Sequence, residues 1–239
     1  MNNRRTLIAA IVGGGLLLGA AGLGIIYFVV FAGSSPQKLA LSSPTPSTSA
    51  STSPDSSTGA GTWTVGSGSQ AGYRVREKLA ALSAPSDAVG RTTAVTGTLT
   101  LTQASSGYSV TAANFTVDVS KLSSDQSRRD QRIHSQGLQS DRYPTATFTL
   151  TSPIALAADA GSGQTIHLSA TGDLTIHGVT KSVTIPIDAR LTGSTIELVG
   201  SISFPFSQFG MTPPSIGGFV SVQNTATMEF QLLLTRQGA

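Results

Sequence analysis

Two runs of alternating apolar residues meet at His177-Gly178 and constrain the fold more than any other feature of this sequence. Apolar side chains fall on even positions from Ile166 to Ile176 and on odd positions from Val179 to Leu191. A two-residue turn pairs positions whose numbers sum to 355, which places all of these side chains on one face. A type I′ turn needs positive φ at both central residues, and Gly and His accept it. The sequence therefore predicts a long antiparallel hairpin with one buried face.

Pro186 should interrupt the sheet on one side of this hairpin. In the proposed register it faces Ser169 at a non-hydrogen-bonded position, so its missing N–H points toward the strand predicted over residues 195–206. We therefore expect a bulge or an end of pairing near Ser201.

The same alternation of apolar residues with Thr and Ser recurs through the rest of the chain from residue 62. It is clearest over residues 95–101, 145–151, 195–206 and 225–235. One helical segment interrupts it after Ser123, with a weak apolar stripe. About eight strands joined by short turns predict an all-β fold, an antiparallel barrel or a sandwich. The interior of an eight-stranded barrel holds side chains or one small ligand.

The N-terminal quarter differs in composition from this domain. Residues 6–32 are uncharged and long enough to cross a bilayer, and Arg4 and Arg5 precede them. We interpret residues 1–5 as a cytoplasmic tip and 6–32 as a transmembrane anchor, with a cleaved signal peptide as the alternative. Residues 33–61 are rich in Ser, Thr and Pro, which predicts a flexible, disordered stalk. Residues 62–237 would then form an extracytoplasmic domain on a single-pass cell-membrane protein.

Composition excludes several classes of function. The chain has no cysteine, so disulfides, thiolate metal sites and cysteine nucleophiles are impossible. Two of its three net positive charges come from residues 1–61, because residues 62–239 carry 12 Lys and Arg against 11 Asp and Glu. Apart from the short run Arg128-Arg129-Asp130-Gln131-Arg132, the domain has no basic patch with interleaved aromatic residues, which disfavours binding to nucleic acid.

Five short segments together resemble the YceI family of lipocalin-like barrels. They are Trp63-Thr64-Val65, Arg129-Asp130, residues 143–148, residues 172–181 and Phe209-Gly210-Met211. Their order and spacing resemble the family from about residue 61 to residue 236. The resemblance implies an eight-stranded lipocalin-like barrel whose elongated apolar cavity holds a polyisoprenoid or similar lipid. It also implies an extracytoplasmic location.

Twelve positions on the predicted inward faces are candidates for contact with such a lipid. Small residues among them, Ala170 and Gly172, should leave room for a guest. A packed core is the competing interpretation, with function then on the outer surface, as in a stalked adhesion module. The twelve are Phe115, Phe148, Leu150, Ala170, Gly172, Val183, Ile185, Ile202, Phe204, Phe206, Phe209 and Phe230.

Catalytic chemistry has little support in the sequence. The register places His167 opposite Asp188 on the outer surface and His177 in the turn, so neither histidine is positioned as a base or metal ligand. No Gly-x-Ser-x-Gly nucleophile motif is present. Asp130 beside Arg129 has the chemistry of a catalytic acid, but we favour the alternative, a structural charge pair or cap that holds the helix against the barrel. The prediction is therefore a non-enzymatic protein without cofactor or metal.

Overall fold

A computed structural model describes residues 35–43, 59–79, 86–104, 107–216 and 220–237. The predicted cytoplasmic tip and transmembrane anchor, residues 1–5 and 6–32, lie outside these ranges. Among the residues described, no helix is both long and apolar enough to span a bilayer.

The described residues form twelve strands and one short α-helix. The helix α1, Ser127–Arg132, runs directly into a π-helical turn, Ile133–Gly137, and two 3-10 turns occupy Val119–Lys121 and Phe206–Phe209. The strands in chain order are β1 Gly61–Val65, β2 Gln70–Leu79, β3 Ser86–Thr92, β4 Val95–Ala104, β5 Gly107–Asp118, β6 Thr145–Leu150, β7 Ile154–Leu156, β8 Ile166–Ile176, β9 Val179–Thr192, β10 Thr195–Phe204, β11 Ser215–Ile216 and β12 Val220–Arg236.

The strands close into an antiparallel ring of eight positions. Pairing runs β1-β4-β5-β6-β8-β9-β10-β12, and β12 returns to β1. At three positions of the ring, two strands lie end to end. β1 and β2 lie along β12, β3 and β4 lie beside them, and β6 and β7 lie along β5. This confirms the predicted antiparallel eight-stranded barrel with one short helix.

The central hairpin has the predicted register. Ile176 pairs with Val179 and Ile166 with Ala189, so every pair from β8 to β9 sums to 355. His177 and Gly178 have φ values of 53° and 72°, as a type I′ turn requires. The alternation of apolar positions was sufficient to fix this register because only one pairing buries them all.

Pro186 ends the ladder on one side only, as predicted. Pairing with β8 continues through Ser169, whereas pairing between β9 and β10 stops at Ile187 and Gly200. Past this break the 3-10 turn Phe206–Phe209 lies beside the β8–β9 turn. Its Phe209 is fully buried, and the Phe209 carbonyl accepts a hydrogen bond from Nδ1 of His177 at 3.3 Å.

Two apolar clusters share the interior of the barrel. The first lies toward the end that carries α1 and includes Leu174, Ile185 and Phe206. The second lies toward the opposite end and is built around Trp63, Leu232 and Leu234. Trp63 and Leu234 are 4% and 0% exposed, so side chains fill that end.

Part of the predicted stalk lies against the barrel. Over residues 37–43, the carbonyl of Ala40 accepts a hydrogen bond from Gln231, and the Ser42 amide donates one to Glu197. The expectation that residues 33–61 are entirely free is therefore not met at 37–43, where barrel side chains provide partners for the backbone. Residues 44–58 lie outside the described ranges.

Replacing Leu234 by Ala should remove the most buried side chain of the second cluster. We expect a loss of about 2–5 kcal/mol in the free energy of unfolding, since a cavity remains where the side chain was. Urea denaturation followed by the fluorescence of Trp63, the only tryptophan of the chain, measures it. Thr235→Ala, on the exposed face one residue on, should cost less than about 1 kcal/mol. Equal losses in both variants would contradict the assignment of this core.

Candidate functional site

An apolar cavity lies inside the half of the barrel that carries α1. It extends from Leu138 and Pro214, near the helical segment, to Leu198 and Leu232 in the middle of the barrel. Its volume is about 150 Å³, and almost no polar atom faces it. This small volume extends from the helical segment to the middle of the barrel, so the cavity is narrow and elongated.

Seven of the twelve predicted contact positions border this cavity. They come from six different strands and the 3-10 turn after β10, which the barrel brings to one lumen. These seven are Phe115, Phe148, Ala170, Ile185, Phe204, Phe206 and Phe230.

The other five predicted positions do not border the cavity. Leu150 packs against the second cluster, and Val183, Ile202 and Phe209 belong to or pack against the first. Gly172 was expected to leave open space, but a Cβ placed on it would lie 2.5 Å from Cζ of Phe148. The ring of Phe148 therefore occupies the space that the small residue provides.

The same contact between an aromatic ring and a glycine recurs around the inner wall. In each case the two residues lie on neighbouring strands, and a Cβ on the glycine would approach a ring carbon to between 2.4 and 2.7 Å. Real Cβ atoms do not approach other atoms so closely, so a side chain at any of these four positions would force the ring or the neighbouring backbone to shift. The four pairs are Tyr73 with Gly90, Phe115 with Gly97, Phe148 with Gly172 and Phe230 with Gly200.

A polar group holds α1 over this end of the barrel. Arg129 forms an ion pair with Glu77 of β2 at 3.2 Å, and Asp130 accepts hydrogen bonds from the Ser124 amide and hydroxyl at 2.9 and 2.6 Å. These contacts agree with the structural role that we predicted for Arg129 and Asp130. They position the π-helical turn, whose Ile133 and Gly137 border the cavity.

The hydroxyl of Tyr73 lies near this polar group. It is buried without a hydrogen-bond partner among the described residues, while the ring borders the cavity. Burial raises the pKa of Tyr73 well above its ordinary value, although the nearby Arg129 charge lowers it. The hydroxyl therefore stays neutral across the physiological pH range.

Sequence analysis missed several residues that border the cavity, including Val75, Leu122, Leu138 and Met211. Val75 follows the alternation of β2 and could have been found from its position between Tyr73 and Glu77. The others lie in turns and in the helical segment, where strand alternation gives no signal.

The three histidines make hydrogen bonds that hold local structure. Nδ1 of His134 lies 2.6 Å from the Ser140 hydroxyl, and His167 meets Asp188 at 2.6 Å on the exposed face, as the register predicted. Across the ranges that the structure describes, no group of three or more His, Asp or Glu side chains is arranged to hold a metal ion.

Comparison with known proteins agrees with this architecture. The profile of the YceI-like domain family matches residues 63–234, which is most of the chain. The chain belongs to the YceI-like domain family. A UPF0312 protein of Vibrio campbellii is 39% identical over 82 residues, covering 34% of this chain and 39% of that protein. Protein YceI of Shigella flexneri is 37% identical over 81 residues, covering 34% and 37%. The YceI-like chain thus spans about two-fifths of the length of these curated relatives.

A solved structure shares the fold of this YceI-like chain at low sequence identity. It is a polyisoprenoid-binding domain from Saccharophagus degradans, implicated in plant cell wall breakdown, with 16% identity and a TM-score of 0.56. The match covers 74% of this chain and 99% of the other. At this identity the similarity establishes the barrel fold.

The glycine–aromatic contacts predict a coupled effect of two substitutions. Gly90→Ala should lower the free energy of unfolding by about 1–3 kcal/mol, because the new Cβ would lie 2.4 Å from Cε1 of Tyr73. In a Tyr73→Leu background the same substitution should cost less than about 0.5 kcal/mol, because the ring is gone. A double-mutant cycle by urea denaturation measures the coupling. Additive losses would show that the ring does not require the glycine.

Proposed function

We propose that this chain is a membrane-anchored, extracytoplasmic binding protein that holds one apolar isoprenoid-type lipid chain in its barrel for storage or transport. The observation that carries the proposal is the narrow lumen, which is bordered by apolar side chains and closed at one end by the Trp63 cluster. The proposed activity is binding, without a catalytic step.

The shape and lining of the lumen favour a single slim hydrocarbon chain. A volume of about 150 Å³ spread along many side chains does not suit a bulky or globular ligand. Burial of hydrocarbon contributes about 0.8 kcal/mol per CH₂ before ordering costs, so a long chain binds without polar recognition. The polyisoprenoid-binding description of the Saccharophagus degradans domain supports an isoprenoid over a fatty acyl chain.

The proposed location rests on the N-terminal sequence. Residues 6–32 form an uncharged run of the length needed for a bilayer, and Arg4 and Arg5 favour a cytoplasmic N-terminus. This orientation would place the barrel outside the cytoplasm.

Ala170→Trp should block lipid uptake. Ala170 is 2% exposed and borders the lumen, so an indole there would occupy the space of the guest. We expect at least about a tenfold weaker retention of an isoprenoid quinone by the full chain in detergent, measured by co-elution on gel filtration.

The matched control is Ser169→Trp, which places the same side chain on the exposed face of β8. It should retain the quinone as the wild type does. A thermal melt of each variant establishes that it is folded. Should folded Ala170→Trp protein retain the quinone unchanged, the lumen would not be the binding site, and a surface interaction module would replace this proposal.

A further inference from the structure

Two carboxylates on the outer face of the barrel are buried. Glu197 and Glu229 are 5% and 3% exposed, although their chain neighbours Leu198 and Phe230 point into the lumen. Outward-facing glutamates on a barrel are normally solvated, because burying a charge is costly unless it is paired. Other parts of the chain must therefore cover these two carboxylates.

Each buried glutamate has a fixed set of partners from neighbouring strands. Glu229 on β12 binds Arg91 of β3 at 2.7 Å and Arg74 of β2 at 3.4 Å. Glu197 on β10 binds Arg190 of β9 at 3.1 Å and accepts a hydrogen bond from Gln231 of β12 at 2.7 Å. The result is a polar surface across five adjacent strands, which we call the outer polar surface.

Residues 37–43 lie on the outer polar surface and hydrogen-bond to it along their length. Arg91 donates to the Gln37 carbonyl, Gln231 to the Ala40 carbonyl at 3.2 Å, and Arg190 to the Ser42 carbonyl. The Ser42 amide and hydroxyl both donate to Glu197 at 2.9 Å. Most of these bonds involve backbone atoms, so the surface recognises an extended chain.

The spacing of these contacts shows how the segment runs. The strands from β3 to β9 lie in the order β3-β2-β12-β10-β9, which is four steps of about 4.8 Å, or about 19 Å. The five steps from Gln37 to Ser42 span about 17–18 Å when fully extended. Along the segment the contacts follow the order of the strands, from β3 at Gln37 through β12 at Ala40 to β10 and β9 at Ser42, so the segment crosses the strands instead of pairing with one of them.

The negative charge of Glu197 strengthens its contact with Ser42. Burial alone would raise the pKa of the Glu197 carboxyl, but hydrogen bonds from Gln231, Ser42 and Arg190 outweigh it and hold the pKa below its ordinary value. The carboxylate that receives the segment is therefore charged at neutral pH, which strengthens its bonds to the Ser42 amide and hydroxyl.

We propose that residues 37–43 are a strap that docks on the outer polar surface and shortens the tether of the barrel. If residues 33–61 were all free, 29 residues would separate the apolar run from the barrel. With the strap docked, four residues, 33–36, separate the apolar run from the strap, so the free length of chain in the tether falls from 29 residues to four. The tether part of this inference rests on the anchor in the proposed function, whereas the docking does not.

Trypsin tests the docking in the full chain, because Lys38 is the only lysine or arginine between Arg5 and Arg74. Cleavage after Lys38 tracks the fraction of molecules in which the strap is released. Ser42→Pro removes both the amide and the hydroxyl that bind Glu197 and changes no barrel residue. We expect cleavage at Lys38 to become at least about tenfold faster in this variant.

The matched control is Ser43→Pro, since no contact of the Ser43 side chain or amide holds the strap among the described residues. It should be cleaved at the wild-type rate, and lipid retention measured on the same samples separates the strap from the lipid-binding proposal. Equal cleavage rates in the wild type and Ser42→Pro would overturn the docked strap. Equal acceleration by Ser42→Pro and Ser43→Pro would also overturn it, because the effect would then not come from Glu197.

Discussion

The lumen depends on aromatic rings that lie over glycines of the neighbouring strand. Phe148 and Phe230 occupy the space that a Cβ on Gly172 or Gly200 would need, so their volume is taken up at the wall. The same residues projecting across the barrel would fill its centre, as Trp63 and Leu234 do at the opposite end. The barrel thus combines a packed half, which stabilises the fold, with a hollow half, which is available to a ligand.

A second constraint shapes the hollow half, where Pro186 ends the ladder between β9 and β10. A regular ladder would continue the barrel wall to the β8–β9 turn, but the missing N–H of Pro186 stops it at Gly200. The chain after β10 then forms the turn Phe206–Phe209. Phe206 adds to the wall, and the buried ring of Phe209 packs edge-on behind it against Phe204, at 4.7 Å between centroids. The helical segment, fixed by Arg129 and Glu77, completes this end.

The sequence was sufficient for features set by local patterns. The alternation of apolar residues and the turn at His177-Gly178 predicted the register of β8 and β9 correctly. Pro186 correctly predicted where the pairing of β9 with β10 ends. Both features depend on residues that are close together in the sequence. Gly172 was misjudged as open space, since the ring that covers it comes from another strand. The strap was missed because its composition suggests disorder, and its partner Glu197 lies 155 residues away from Ser42.

Native mass spectrometry of the full-length protein, extracted in mild detergent from its own membranes, tests the central claim most directly. The account predicts a bound species heavier than the apoprotein by the mass of one isoprenoid-type lipid, released when the barrel is unfolded. One molecule per chain is expected, because the lumen is narrow. Protein that is consistently recovered without lipid, and that takes up no isoprenoid quinone when it is offered, would contradict the account.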